Sequence, residues 1–170
     1  AGLPFEAVEL PGMREADVII TIASSFQPIL MAGHVSPGTH IACMGTDTKG
    51  KQELDPALLA KATVFTDEIA QSVSIGEAQH AIAAGLIREA DITQLGEVSN
   101  GTHPGRTSAD QITLFDGTGV GLQDLAVAAA VVVLAQKNGL AIKVDVWPPK
   151  RPPCSSPVLR AATPAGRAFP

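Results

Sequence analysis

The chain has 170 residues, the size of about one domain. Hydrophobic residues make up 45% and charged residues only 17%, against about 25% charged in an ordinary globular chain, which excludes a largely disordered polypeptide. A net charge of −5, with no Tyr, one Trp and five Phe, leaves neither the basic surface nor the stacking aromatics of a nucleic-acid module.

Residues 16–22, ADVIITI, are β-branched and almost continuously apolar, the pattern of a strand buried on both faces of a parallel sheet. Residues 39–45 repeat that pattern after the turn signal Ser36-Pro-Gly38 and include Cys43. Asp55 and Pro56 supply an N-cap and a first helical position for a helix through Ala62. A short strand is expected over 63–66, then an Ala-rich helix over 69–87 with interruptions at Gly76 and Gly85. Residues 91–106 read as turn-rich. A strand over 111–115 runs into Asp116-Gly-Thr-Gly-Val-Gly121, followed by a helix over 122–137 that Asn138-Gly139 stops. A last strand is expected over 140–146. Short apolar strands alternating with helices predict an α/β fold with a mostly parallel sheet.

Composition changes after Trp147. Residues 148–170 hold seven of the 13 prolines and four of the 12 basic residues, with no acid, and are expected to form a disordered tail. Cys43 and Cys154, in such different surroundings, give no disulfide framework and point to a reduced compartment, the cytoplasm. The longest apolar run, residues 126–135, is about half of the roughly 20 residues a membrane helix needs. The first residues, Ala-Gly-Leu-Pro-Phe-Glu, carry neither a basic segment nor an initiating Met. The expectation is a chain that starts after processing or inside a longer gene product.

Ligands of open parallel sheets bind beyond the carboxyl ends of the strands. Three such places carry candidate chemistry. After the first strand, Thr21, Ser24 and Ser25 offer hydroxyls to a ribose or phosphate, or else simply cap a turn. After the second, Gly45 and Gly50 permit close backbone approach, while Asp47 can exchange a proton and Lys51 can pair with it or with an anion. The alternative there is an ordinary surface turn. After the strand over 111–115, Gly117, Gly119 and Gly121 open a helix in a way that suits an anion, although Asp116 and Asp124 disfavour a diphosphate. His34, His40, His80 and His103 are scattered without ligand spacing, so no metal site is expected.

Taken in order, ADVIITIASS (16–25), PGTHIACMGTD (37–47), GKQELDP (50–56), LGEV (95–98), PGRT (104–107), ITLF (112–115) and GVGLQD (119–124) resemble the ornithine cyclodeaminase/μ-crystallin family. The resemblance covers residues 6 to about 146. It implies NAD or NADP as cofactor, held in a Rossmann domain beside a second α/β domain that binds substrate and forms homodimers. Family chemistry is hydride exchange at the α-carbon of an amino acid through an imine. Members include ornithine cyclodeaminase, which makes proline, alanine dehydrogenase, reductases of cyclic imino acids, and μ-crystallin, a reductase that also binds thyroid hormone.

By the same resemblance, Asp47 matches the catalytic acid/base. Thr21, Ser24, Ser25, Met44, Gly45, Thr46 and Lys51 match positions around the cofactor. Gly117 and Thr118 match a turn that contacts substrate, where the family often has Ser-Val instead. The expected partner is a small amino-acid or cyclic imino-acid substrate, with no nucleic acid and no membrane. Family chains are about twice as long, so the expected architecture is a partial Rossmann-like parallel sheet plus a C-terminal segment of the substrate/dimerisation domain. Residues 1–90 would be the second half of the Rossmann domain, 91–147 a return segment and 148–170 the tail. The alternative is a non-catalytic, μ-crystallin-like binding protein or an inactive truncated paralogue.

Overall fold

The computed structural model describes residue 2 and residues 4–144. The expected tail over 148–170, Cys154 and the end of the expected strand over 140–146 lie outside the described residues. The chain divides into a unit of residues 1–128 and a second of residues 129–170.

The first unit is built on a five-stranded sheet in the order β1 (Val18–Thr21), β3 (His40–Cys43), β7 (Thr113–Asp116), β5 (Thr63–Thr66), β6 (Ile92–Gln94). Every neighbouring pair is parallel, as the alternation of strands and helices predicts. A separate two-stranded parallel ribbon joins β2 (Phe26–Leu30) to β4 (Gln52–Leu54). Register places Ile19, Ile41, Leu114, Val64 and Ile92 in one row across the large sheet, and all five are buried. Helices α1 (Pro56–Lys61) and α3 (Ala78–Ala83) contribute Leu58, Leu59, Ala78 and Ala81 to the same core. Fully burying an aliphatic side chain stabilises a fold by about 1.5–3 kcal/mol, so this row and the helices on it dominate the packing energy.

Asp55 begins α1 as expected: its carboxylate accepts the Ala57 N–H at 3.0 Å, and Pro56 needs no partner for an N–H it lacks. The helical stretch over 69–87 divides into α2 (Ile69–Ser74) and α3, with the break at Gly76. There Asp116 Oδ2 takes the Ser72 hydroxyl at 2.6 Å and the Ala78 N–H at 3.4 Å. A Cβ on Gly76 would stand 2.5 Å from that oxygen. The helix breaks where a carboxylate enters it.

Several expectations need correction. β1 is not buried on both faces: Ile19 is enclosed, but Val18 and Ile20 alternate to the opposite face, which is open at this strand. β2 and β4 have no counterpart among the expected strands, since both are short, β2 is interrupted by Pro28 and β4 is mostly polar. The turn-rich stretch over 91–106 contains β6 and the short helix α4 (Leu95–Ser99). Both β6 and β7 belong to the same sheet as β1, β3 and β5. Residues 140–144 form no strand, because a strand exists only through a ladder and none of the described residues pairs with them. The expected helix over 122–137 is observed as α5 (Gly121–Lys137).

Candidate functional site at the carboxyl ends of the strands

Parallel pairing brings Thr21, Cys43, Asp116 and Thr66 into one row at the carboxyl edge of the large sheet. The next residue of each of three strands, Ile22, Met44 and Gly117, steps off that row into the loops. Two backbone bonds carry the ladder to this point: Met44 N–H to Thr21 O at 2.8 Å and Gly117 N–H to Cys43 O at 2.9 Å. Gly117 is buried beneath the half-exposed thioether of Met44, and a Cβ on it would stand 2.7 Å from Sδ. The missing side chain is what lets Met44 lie across the end of β7.

The hydroxyl-rich loop after β1 is partly committed to the protein itself. Thr21 Oγ1 donates to Glu53 Oε2 at 2.8 Å. Ser25 Oγ donates to Gln27 O at 2.7 Å and accepts the Gln27 N–H at 3.1 Å, closing its own turn into β2. Ser24 is exposed. After β3, Thr46 is buried and its hydroxyl donates to Glu77. Asp47 projects from the loop with 61% of its side chain exposed and meets Lys51 Nζ at 2.7 Å. Lys51 also lies 3.5 Å from Gly45 O, which ties the ion pair to the end of β3. The hydrogen bond from Lys51, then that from Thr48, holds the Asp47 carboxyl below its ordinary range.

The turn after β7 is clamped by Asp67, which follows β5. Its Oδ1 accepts the Thr118 N–H at 3.1 Å and lies 2.8 Å from the Thr118 hydroxyl, while Oδ2 accepts the Gly119 N–H at 2.8 Å. Burial pushes the Asp67 carboxyl up, but these bonds outweigh it and hold it below the ordinary value. Thr118, expected to touch substrate, is 8% exposed and serves this clamp.

The sequence pattern does not single out Glu53 and Glu77 beneath the site, and marks Asp116 only as a charge that disfavours a diphosphate. Glu53, Glu77 and Asp116 are all essentially solvent-free. Glu53 accepts from Thr21, from the Gly45 N–H at 3.1 Å and from the Ala23 N–H. Glu77 accepts from Thr46 and from the N–H groups of Glu53 and Leu54 at 2.6 and 3.2 Å. Burial pushes Glu77 up to about 7 and Asp116 up to about 6. The only trace of this in the sequence is the small-residue setting of Glu77, between Gly76 and Ala78, which leaves room for a carboxylate inside an apolar layer. Among the described residues no group of three or more His, Cys, Asp and Glu side chains is arranged to hold a metal ion, and no helix is long and apolar enough to cross a membrane.

An open, all-parallel α/β sheet with polar side chains at its carboxyl edge has the architecture of the dinucleotide-binding class of α/β folds. The chain belongs to the ornithine cyclodeaminase/mu-crystallin family, whose model matches residues 7–138. It is 67% identical over 146 residues to the iminosuccinate reductase of Paracoccus denitrificans, covering 85% of this chain and 45% of that protein. The crystal structure of that reductase in complex with NAD+ superposes with a TM-score of 0.81 over the same shares of the two chains. An archaeal alanine dehydrogenase dimer with bound NAD is 35% identical, with a TM-score of 0.79, over 86% of this chain and 46% of that one. The mouse ketimine reductase mu-crystallin is 34% identical over 125 residues, 73% of this chain and 37% of that protein. The chain thus spans less than half the length of these relatives.

Proposed function

We propose that this chain forms the nicotinamide-side part of an NAD-dependent imine reductase, and that its substrate is the imine of a small amino acid, iminosuccinate foremost. The observation that carries the reading is the meeting of three strand ends at Met44 and Gly117, beside the Asp47–Lys51 pair. The 67% identity to an iminosuccinate reductase supports that choice of substrate. The residues present suit a flat heteroaromatic ring: Gly117 lets the Met44 thioether lie across the end of β7, and Met44 supplies a soft apolar face.

NADH, when bound, supplies the hydride; the net change is imine plus NADH plus a proton giving the amine and NAD+. The chain's own residues manage charge. Lys51 keeps Asp47 ionised, so Asp47 acts as counter-ion to a protonated imine nitrogen and as proton acceptor in the reverse direction. Met44 and the buried floor beneath it exclude water from one side of the reacting centre. Thr21, Thr46 and Thr118 hold the loops in place, and Ser24, exposed beside them, is the hydroxyl free to meet the cofactor.

The test is titration of the purified chain with NADH and with NADPH, followed by nicotinamide fluorescence. Saturable binding of NADH, weakened by Gly117→Val, is the expected result. No saturable binding of either nucleotide, by this chain or by a longer form of the protein that includes it, would overturn the reading.

A further inference from the structure

We propose that Glu53 is the positioning residue of this site: its buried carboxylate joins the β1 and β3 loops where the sheet's own ladder stops, and Glu77 fixes Glu53 from behind. The inference rests on the reading of the carboxyl edge as a cofactor site. The last backbone bond between these strands is Met44 N–H to Thr21 O. Just beyond it, Ala23 in the β1 loop and Gly45 in the β3 loop both turn their N–H groups to the same carboxylate, with the Thr21 hydroxyl as a third donor.

The close approach has no slack. A Cβ on Gly45 would stand 2.5 Å from Ala23 O and 2.5 Å from Glu53 Oε1. Glu53 is 0% exposed, and Lys51 and Arg88 make the ion pairs found among the described residues, with Asp47 and Asp91. A carboxylate kept in such a place is held by hydrogen-bond donors alone, and each donor lost leaves a buried lone pair unmet. Glu77 repeats the device one layer deeper: it accepts the backbone N–H of Glu53 and of Leu54, and the hydroxyl of Thr46. Gly45 is therefore tied to Glu53 and Thr46 to Glu77, and Asp47 follows directly. Asp47's own hydrogen bonds, to Thr48 and Lys51, are exposed, so the two buried acids set where it begins.

The experiment is amide hydrogen exchange on the Glu53→Gln chain without nucleotide, paired with NADH titration. A glutamine offers one acceptor oxygen and turns a donor toward the remaining N–H groups. The expected result is exchange at Ala23 and Gly45 faster by about tenfold or more, the scale of one lost hydrogen bond, with Ile41 and Leu114 unchanged, and NADH affinity reduced by a similar factor. Unchanged exchange at Ala23 and Gly45, or an equal rise across the whole sheet, would overturn the proposal. Where Glu53→Gln does not fold, Thr21→Val removes a single donor and should loosen the same two amides to a smaller extent; no change there overturns it equally. The exchange pattern needs no cofactor, so it decides the role of Glu53 even if NADH never binds. Tight NADH binding with unaltered exchange in Glu53→Gln would remove Glu53 and leave the functional reading standing.

Discussion

Lys51 Nζ stands 2.7 Å from Asp47 Oδ1, four residues back along the loop between β3 and β4. Lys51 is largely covered and Asp47 largely exposed, with 16% and 61% of their side chains accessible, so the cation is the fixed member of the pair. Its hydrogen bond is the main cause of the lowered Asp47 pKa. Lys51→Met should therefore raise that pKa toward the ordinary 3.8, read by NMR titration of the Asp47 carboxyl. An unmoved midpoint would show that Lys51 does not set the charge on Asp47.

Asp47→Asn tests the chemistry and leaves the architecture alone, because the side chain is exposed and bears on no part of the core. In the longest form of the protein in which imine reduction is measured, kcat should fall by about 10²–10⁴, the usual worth of a positioned proton-transfer or counter-charge group. The KM for NADH should stay within about twofold. Equal losses in both would assign Asp47 to binding.

The buried acids make stability fall as pH rises. Burial pushes Glu77 from 4.5 to about 7, against the hydrogen bonds from Thr46, Glu53 and Leu54, and Asp116 from 3.8 to about 6. The folded chain thus binds more protons than the unfolded chain between those limits, and unfolding becomes easier through that window, levelling above about 7. Glu77→Gln removes its share of the slope, on the order of 3 kcal/mol across the window. Denaturant unfolding at a series of pH values should give a flatter profile for the variant, and parallel profiles would refute the assignment.

Gly76→Ala meets rigid neighbours. Its Cβ would come within 2.5 Å of Asp116 Oδ2, 2.7 Å of Ser72 Cα and 2.9 Å of Thr118 Cγ2. The expected cost is about 1–3 kcal/mol, typical of an overpacked core, measured as a lower denaturation midpoint at constant m-value. Gly117→Ala is milder by comparison, because Met44 can rotate away, and should disturb nucleotide binding more than folding.

How far the sequence could be read depended on whether the signal was local. The runs around Ile19, Ile41, Val64 and Leu114 are continuous β-branched or aliphatic stretches, and they are the strands of the large sheet. Asp55-Pro56 is a local cap and was legible for the same reason. The ribbon of β2 and β4 was hidden because Phe26 pairs with Gln52 and Leu30 with Leu54 only once the chain has folded back. The exposed side of β1 was hidden too: Val18 and Ile20 look like core residues until their face of the strand is known to be open. At the site, Asp47 and Lys51 stand in a recognisable motif. Glu53, Glu77 and Asp67 become important only through N–H groups brought to them from 8 to 52 residues away.

The order of strands also fixes the order in which the molecule can be made. β7 pairs with β3 on one side and with β5 on the other, and among the described residues it is the last strand of the sheet in chain order. Until residue 116 has left the ribosome, β1–β3 and β5–β6 are two separate parallel pairs with no ladder between them. A nascent chain at that stage exposes the inner edges of both, and the central contact, His40 with Thr113, closes over 73 residues. The sheet therefore assembles late and all at once, as non-local parallel pairing requires.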